Sequence, residues 1–242
     1  MKKKILSVVV LVSVLSGCGS SSSDSATVTP AVEPVVEPVV EPVVETASVC
    51  FNETLYKAGT EYSVVYKVGD QVQARQKSKV FESGLFRGQE ATMIRTMNEE
   101  TSSLSAQFIA VDNNEKLYSI LGQSFGADNS YYEPGHLIRF NLNKGESHEQ
   151  TYTDISESPS SLGDTVVNEH VTFAGIETIT IPAGTYDACR LDVKSSRTEA
   201  DGSTYDSTIS VWYGVESGIT MQFVLGDIKV QLVEAEINGA KM

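Results

Sequence analysis

One segment of the chain has the spacing of a hydrolytic nucleophile. Gly122-Gln123-Ser124-Phe125-Gly126 matches G-x-S-x-G, in which glycines permit the strained strand-to-helix turn that exposes a serine. That chemistry needs a helix directly after the serine, yet the chain runs on as ADNSYYEPG, a polar stretch rich in turn formers. A hydrolase using Ser124, with an acid such as Asp154 and a histidine such as His170 downstream, is therefore the least favoured of three readings. His136, His148 and His170 match no local metal-ligand spacing, and Asp112-Asn113-Asn114-Glu115 lacks the spacing and central glycine of a calcium loop. No metal and no cofactor are expected. Tyr131 and Tyr132, beside Pro134-Gly135, read as two aromatics in a polar loop suited to a contact surface. Trp212 has the opposite parity to Val211 and Tyr213, so it either faces solvent, adding to that contact surface, or lies between two layers.

Three cysteines carry the remaining chemistry. Lys2, Lys3 and Lys4 precede an apolar run from Ile5 to Leu15, too short to span a bilayer, and Leu15-Ser16-Gly17-Cys18 follows at once. Small residues ahead of a cysteine suit cleavage and thiol acylation, so residues 1–17 read as a signal peptide. That leaves Cys50 and Cys189 as an even pair, in a compartment that is oxidising if the chain is exported. Cys189 shares its parity with Leu191 and Val193, an inward face on a strand. A structural disulfide is expected. Redox-active pairs are more often closely spaced, as in Cys-x-x-Cys, and two free buried thiols are the remaining option.

The elements that hold these residues divide the chain in three. After residues 1–17 comes a linker over residues 18–48, in which GSSSSDSATVTPA gives way to a four-residue VEPV repeat. Pro34, Pro38 and Pro42 forbid a helix interior and a sheet ladder, and Glu33, Glu37, Glu41 and Glu45 repel one another. An extended strut results, spanning about 50 Å from Pro30 to Glu45 at ~3.1 Å per residue.

Residues 49–242 form a single β-rich domain in this reading. Tyr62, Val64, Tyr66 and Val68 alternate with Ser63, Val65 and Lys67, Ile138, Phe140 and Leu142 alternate with Arg139, Asn141 and Asn143, and Ile209, Val211 and Tyr213 share one face. Asp112-Asn113-Asn114, Pro182-Ala183-Gly184, Asp201-Gly202 and Gly226-Asp227 sit between such runs as turns. The expected fold is mainly β: a curved antiparallel sheet, sandwich or open barrel, with at most one or two short helices. Only Arg87 to Thr101 leaves room for one. The full chain carries 18 basic against 32 acidic side chains, a net charge of −14, which excludes a general nucleic-acid binder. Removing residues 1–17 takes away three lysines and no acid, so a mature body at −17 gains nothing from anionic headgroups and depends on its anchor.

Three resemblances add to this reading. The Leu15-Ser16-Gly17-Cys18 motif resembles the lipobox of bacterial lipoproteins, which implies a lipid on Cys18. Gly19, standing where inner-membrane retention places Asp, implies an outer-membrane anchor, on the periplasmic face or the cell surface. Ile181-Pro182-Ala183-Gly184-Thr185-Tyr186, Cys189 to Val193, Val211-Trp212-Tyr213 and Gly218-Ile219 resemble uncharacterised TapB-like periplasmic and lipoprotein β domains over about residues 165–235. More distantly, the size and class are similar to the half-barrel lipoprotein carriers of the outer membrane. The leading functional reading is a non-enzymatic module that binds an envelope protein or serves envelope assembly. The alternative is a carrier enclosing a lipid or other apolar ligand.

Overall fold

Alternating β-branched or aromatic and polar residues pair with the next such run again and again along the chain, and the pairing finally returns to the first strand. The computed structural model describes residues 44–126, 128–158 and 163–242. The expected signal peptide, Cys18 and the linker up to residue 43 lie outside the described residues. In chain order the strands are β1 (Glu61–Val68), β2 (Gln71–Val72), β3 (Gln76–Val80), β4 (Gly84–Phe86) and β5 (Gln89–Asn98). They continue as β6 (Leu104–Asp112), β7 (Leu117–Phe125), β8 (Asp128–Arg139), β9 (Ser147–Ser156) and β10 (Thr165–Ile181). The last five are β11 (Gly184–Thr198), β12 (Thr204–Gly214), β13 (Thr220–Leu225), β14 (Ile228–Ile237) and β15 (Ala240–Lys241). Among the described residues the only helices are two 3-10 turns, Ala47–Cys50 and Glu53–Tyr56. The stretch that left room for a helix, Arg87 to Thr101, is occupied by β5.

The fold is mainly β, and its sheet is closed. Twelve antiparallel strands form a ring, because β14 pairs with β13 on one side and with β1 on the other. The closing seam runs from Tyr62 opposite Ile237 to Val68 opposite Val230, with one bulge between Val65 and Tyr66. Closure removes the exposed sheet edges that an open sheet must otherwise protect. The outer faces of these strands carry ion pairs such as Lys79–Glu61 at 2.7 Å and Arg190–Asp192 at 2.9 Å. That is the reverse of the apolar outer band of a lipid-embedded barrel.

One end of the ring is stoppered. Cys50 and Phe51 of the 3-10 segment pack with Phe140, Phe173 and Leu191, and Leu55 packs with Val64, Ile219 and Met221. Its backbone is tied to turns at that end: the Ala47 N–H donates to the Leu142 carbonyl at 2.9 Å, and the Glu216 N–H to the Val49 carbonyl at 2.8 Å. Gly218 makes the approach close, since a Cβ there would stand 3.0 Å from that of Asn52. The Cys50–Cys189 disulfide joins the stopper to β11 across 139 residues of sequence. Packing begins earlier than composition suggested: Thr46 bridges Asn143, and the Glu45 carboxylate accepts from the Ile176 N–H and pairs with Lys144. The long β10–β11 hairpin also finishes here. Its Pro182-Ala183 tip is held by Tyr186 Oη donating to the Ala183 carbonyl at 2.9 Å, while the Ala183 N–H donates to the Leu232 carbonyl at 3.2 Å.

The opposite end has no such cover among the described residues. It is built from the β1–β2, β5–β6, β7–β8, β9–β10, β11–β12 and β13–β14 connections.

Candidate functional site

Strand parity sends Tyr62, Val64 and Tyr66 of β1, Ile94 and Thr96 of β5, Gln107 and Ile109 of β6, and Tyr118 of β7 to one side of the sheet. Together they line a cavity of about 660 Å³ inside the ring, within the ~300–1,000 Å³ common for small-molecule sites. Leu55 and Tyr56 of the stopper, with Tyr213 and Ile219, form its floor. Gln123, Ser124, Phe125, Asn129 and Ser156 lie towards the open end. Apolar and aromatic groups therefore sit deep, and amides and hydroxyls sit near the mouth.

The floor is a group of phenols. The Tyr56 and Tyr118 rings lie 5.1 Å apart, and Tyr213 lines the same floor. Tyr66 Oη donates to the Thr220 carbonyl at 2.9 Å. Burial pushes the Tyr56, Tyr62, Tyr66 and Tyr118 hydroxyls above the ordinary phenol range, and that of Tyr213 up to about 12. They stay neutral donors and acceptors at any physiological pH. Of the lining residues only Asp128, at the mouth, carries a formal charge. In a chain with 32 acidic residues, an uncharged lumen selects against ionic ligands and suits one with an apolar body and a few hydroxyls or carbonyls.

A second buried polar group sits elsewhere in the interior, around Glu169 of β10, whose side chain is 9% exposed. Glu169 meets His136 Nε2 at 3.2 Å and accepts from Gln150 at 2.8 Å and Tyr152 at 3.2 Å. Burial alone would raise its carboxyl, but the bond and charge of His136, with Tyr152 and Gln150, outweigh it and hold the acid below the usual range. The His136 ring stacks on Tyr152 at 4.8 Å, and Tyr132 meets both edge-on. His148 lies nearby with neither ring nitrogen partnered among the described residues. Its desolvation, followed by the Arg139 charge, lowers its basicity.

The sequence candidates are scattered by this fold. Ser124 is on β7, opposite Ala106 and Asn129, with no helix after it, and none of the three histidines is its partner. The glycine of the motif has another cause: a Cβ on Gly122 would lie 2.5 Å from the Phe86 ring and 2.9 Å from the Ser130 carbonyl. Asp112 Oδ1 accepts from the Asn114 and Glu115 N–H groups at 3.0 Å, which accounts for that acidic run as a turn. Tyr131 and Tyr132 are on strand β8, not in a loop, and alternation places them on opposite faces. Tyr131 lies under the Arg87 guanidinium at 3.6 Å, while Tyr132 belongs to the interior aromatic group. Trp212 is 8% exposed, packed with Ile181 and Met221, and donates from Nε1 to Glu177 at 2.9 Å. The three aromatics therefore form no common contact surface.

Sequence reasoning missed the tyrosine floor and the Glu169 group. The signal for Glu169 was present, since Val167, Glu169, Val171 and Phe173 share one parity and put an acid on a core face.

No protein-family model matches the chain, and no curated protein matches it. Among solved structures, a protein from Bacteroides fragilis described as exported and of YmcC-like fold is similar at 10% identity and a TM-score of 0.48, covering 74% of this chain and 96% of its own. A lipoprotein from Parabacteroides distasonis is similar at 12% identity and 0.43, covering 77% and 98%. The hypothetical lipoprotein YmcC of Escherichia coli follows at 12% and 0.40, covering 76% and 88%.

Proposed function

We propose that this chain is a binding protein, held at the bacterial outer membrane by a lipid on Cys18, whose barrel lumen takes up a small uncharged amphipathic ligand and performs no chemistry on it. The observation that carries the reading is the lumen of about 660 Å³ with a phenolic floor, an uncharged wall and a hydroxyl- and amide-lined mouth. Barrels of about eight strands are filled by side chains, whereas wider ones enclose ligand cavities or channels, and this ring of twelve strands is of the wider kind. The stopper closes one end, so a ligand has one way in. The spacing of Cys18 after a short apolar run supports the anchor, and the resemblance over residues 165–235 to periplasmic β domains agrees with an envelope location.

Native mass spectrometry of the full chain, extracted from membranes in mild detergent, tests this. The expected result is a non-covalent adduct on the wild type that disappears in Gln107→Trp/Ser124→Trp, where two indoles occupy the lumen. Ser124→Ala should retain the adduct unchanged, because Ser124 here only lines the wall. A wild-type chain that is always empty refutes the reading.

A further inference from the structure

The open end carries exposed apolar side chains between its polar turns and around its polar mouth. Among the described residues, nine of the thirteen exposed large apolar side chains lie at strand ends on this side. Six of these nine are Val68, Val72, Leu104, Phe125, Tyr205 and Ile228, between 39% and 64% exposed. Val68 ends β1 and Val72 ends β2; Leu104 begins β6 and Phe125 ends β7; Tyr205 and Ile228 lie at the start of β12 and β14. They come from five different hairpins, so no single local accident explains them. Exposed apolar residues gathered at one end of the fold mark a contact site, unlike single scattered ones.

This collar is continuous with the cavity. Phe125 is 64% exposed and also lines the lumen, so whatever covers the collar also covers the mouth. Sequence charge restricts the covering surface. Glu99 is paired there with Lys77 at 2.6 Å, but the turns also contribute Asp70, Glu100, Asp201 and Asp227, which oppose an anionic surface. Chain length permits a membrane to be that surface. The chain enters the fold at the stoppered end, and residues 19–43 can reach up to about 80 Å at ~3.3 Å per residue. A wall strand of nine residues, such as β6, rises only about 30 Å. An anchor on Cys18 is therefore long enough to let the far end meet a bilayer.

We infer that the open-end collar docks on a zwitterionic phospholipid surface and sets the mouth against the acyl region, so that the ligand passes between bilayer and lumen without crossing water. This rests on the lumen being a ligand site. Side chains at the hairpin tips enter the headgroup boundary as the apolar face of an interfacial helix does, while the polar outer wall stays in water.

The test uses the full lipidated chain reconstituted in phosphatidylethanolamine/phosphatidylcholine vesicles with brominated acyl chains. Single tryptophans are added at the collar (Phe125→Trp or Ile228→Trp) or at the stoppered end (Val44→Trp). Trp212, buried towards the stoppered end, serves as an internal reference. Bromine should quench the collar emitters several-fold more than the Val44→Trp emitter, and Leu104→Asp should abolish the difference while leaving the circular dichroism melt in place. Equal or absent quenching overturns docking, and a collar unquenched in vesicles but crosslinked to an envelope protein in cells is assigned to a protein partner instead. Adduct retention is read separately: an adduct without quenching defeats docking alone, and quenching without an adduct defeats the lumen reading alone.

Discussion

Removing the disulfide with Cys50→Ala/Cys189→Ala should cost more stability than any other pair of small substitutions in this chain. Both cysteines are fully buried, and their Cα atoms lie 6.2 Å apart. The bridge closes a loop with a sequence separation of 139 residues. In the chain-entropy account, closing a loop of that length removes ~17 cal/mol/K from the unfolded ensemble, about 5 kcal/mol at 25 °C. Domains of this kind are typically stable by ~5–15 kcal/mol, so the loss is a third or more of the total. Deleting two sulfurs from a packed site adds a small cavity in the same direction. With a urea slope of about 3 kcal/mol/M, the midpoint should fall by roughly 1.7 M. The assay is equilibrium urea unfolding followed by circular dichroism and by the emission of Trp212, on oxidised wild type and on the double variant. Coincident transitions by both probes are needed before the slopes are compared. A midpoint shift below about 0.3 M with an unchanged slope would refute the reasoning, because the unfolded chain would then gain almost no freedom when the bridge is absent. The same variant bears on the lumen, since Tyr56 of the floor follows Cys50 by six residues on the segment that the bridge secures.

Four further outcomes are expected. Gly122→Ala should destabilise by about 1–3 kcal/mol, because its methyl meets both the Phe86 ring and the Ser130 carbonyl; thermal melts that match wild type would contradict this. Glu169→Gln should cost ~1–3 kcal/mol near neutral pH by weakening the acceptor for His136 and Tyr152, read from the denaturation midpoint. Because the folded carboxyl of Glu169 lies below the ordinary glutamate range, its contribution is complete above that range and is lost as pH falls through the folded pKa. His148→Phe should be neutral or stabilising at pH 7 and should flatten the stability loss below the ordinary histidine range, where the unfolded histidine protonates more readily than the buried one; an unchanged pH profile contradicts it. Finally, spectrophotometric titration of native chain should show the phenols of Tyr56, Tyr66 and Tyr118 ionising only well above the usual range, and shifting back in urea; ionisation at the ordinary phenol value in the native chain would mean the floor is not buried.

The fold class was legible because a half-buried strand writes its two faces into alternate residues. Tyr62, Val64, Tyr66 and Val68 declare a strand without any partner in view, and Asp201-Gly202 and Gly226-Asp227 declare the turns that return it. Trp212 shows where that reading stops. Its parity correctly separates it from Val211 and Tyr213, but alternation cannot tell a face turned to water from one covered by a distant segment. Here Glu177, Ile181 and Met221 do the covering. Ser124 shows the converse, a motif satisfied by a strand glycine that yields space to Phe86.

By itself the sequence determined that the domain is built mainly of strands, where several of its turns fall, and that Cys189 shares a strand face with Leu191 and Val193. Those properties are local, set by side-chain period, backbone sterics and residue chemistry. Only the tertiary structure decided that the last long strand closes on the first, that residues 47–56 stopper one end, and that five tyrosines from separate parts of the chain share one uncharged lumen. Closure depends on the summed twist and stagger of twelve strands, a quantity to which every strand contributes and which no short stretch of sequence contains.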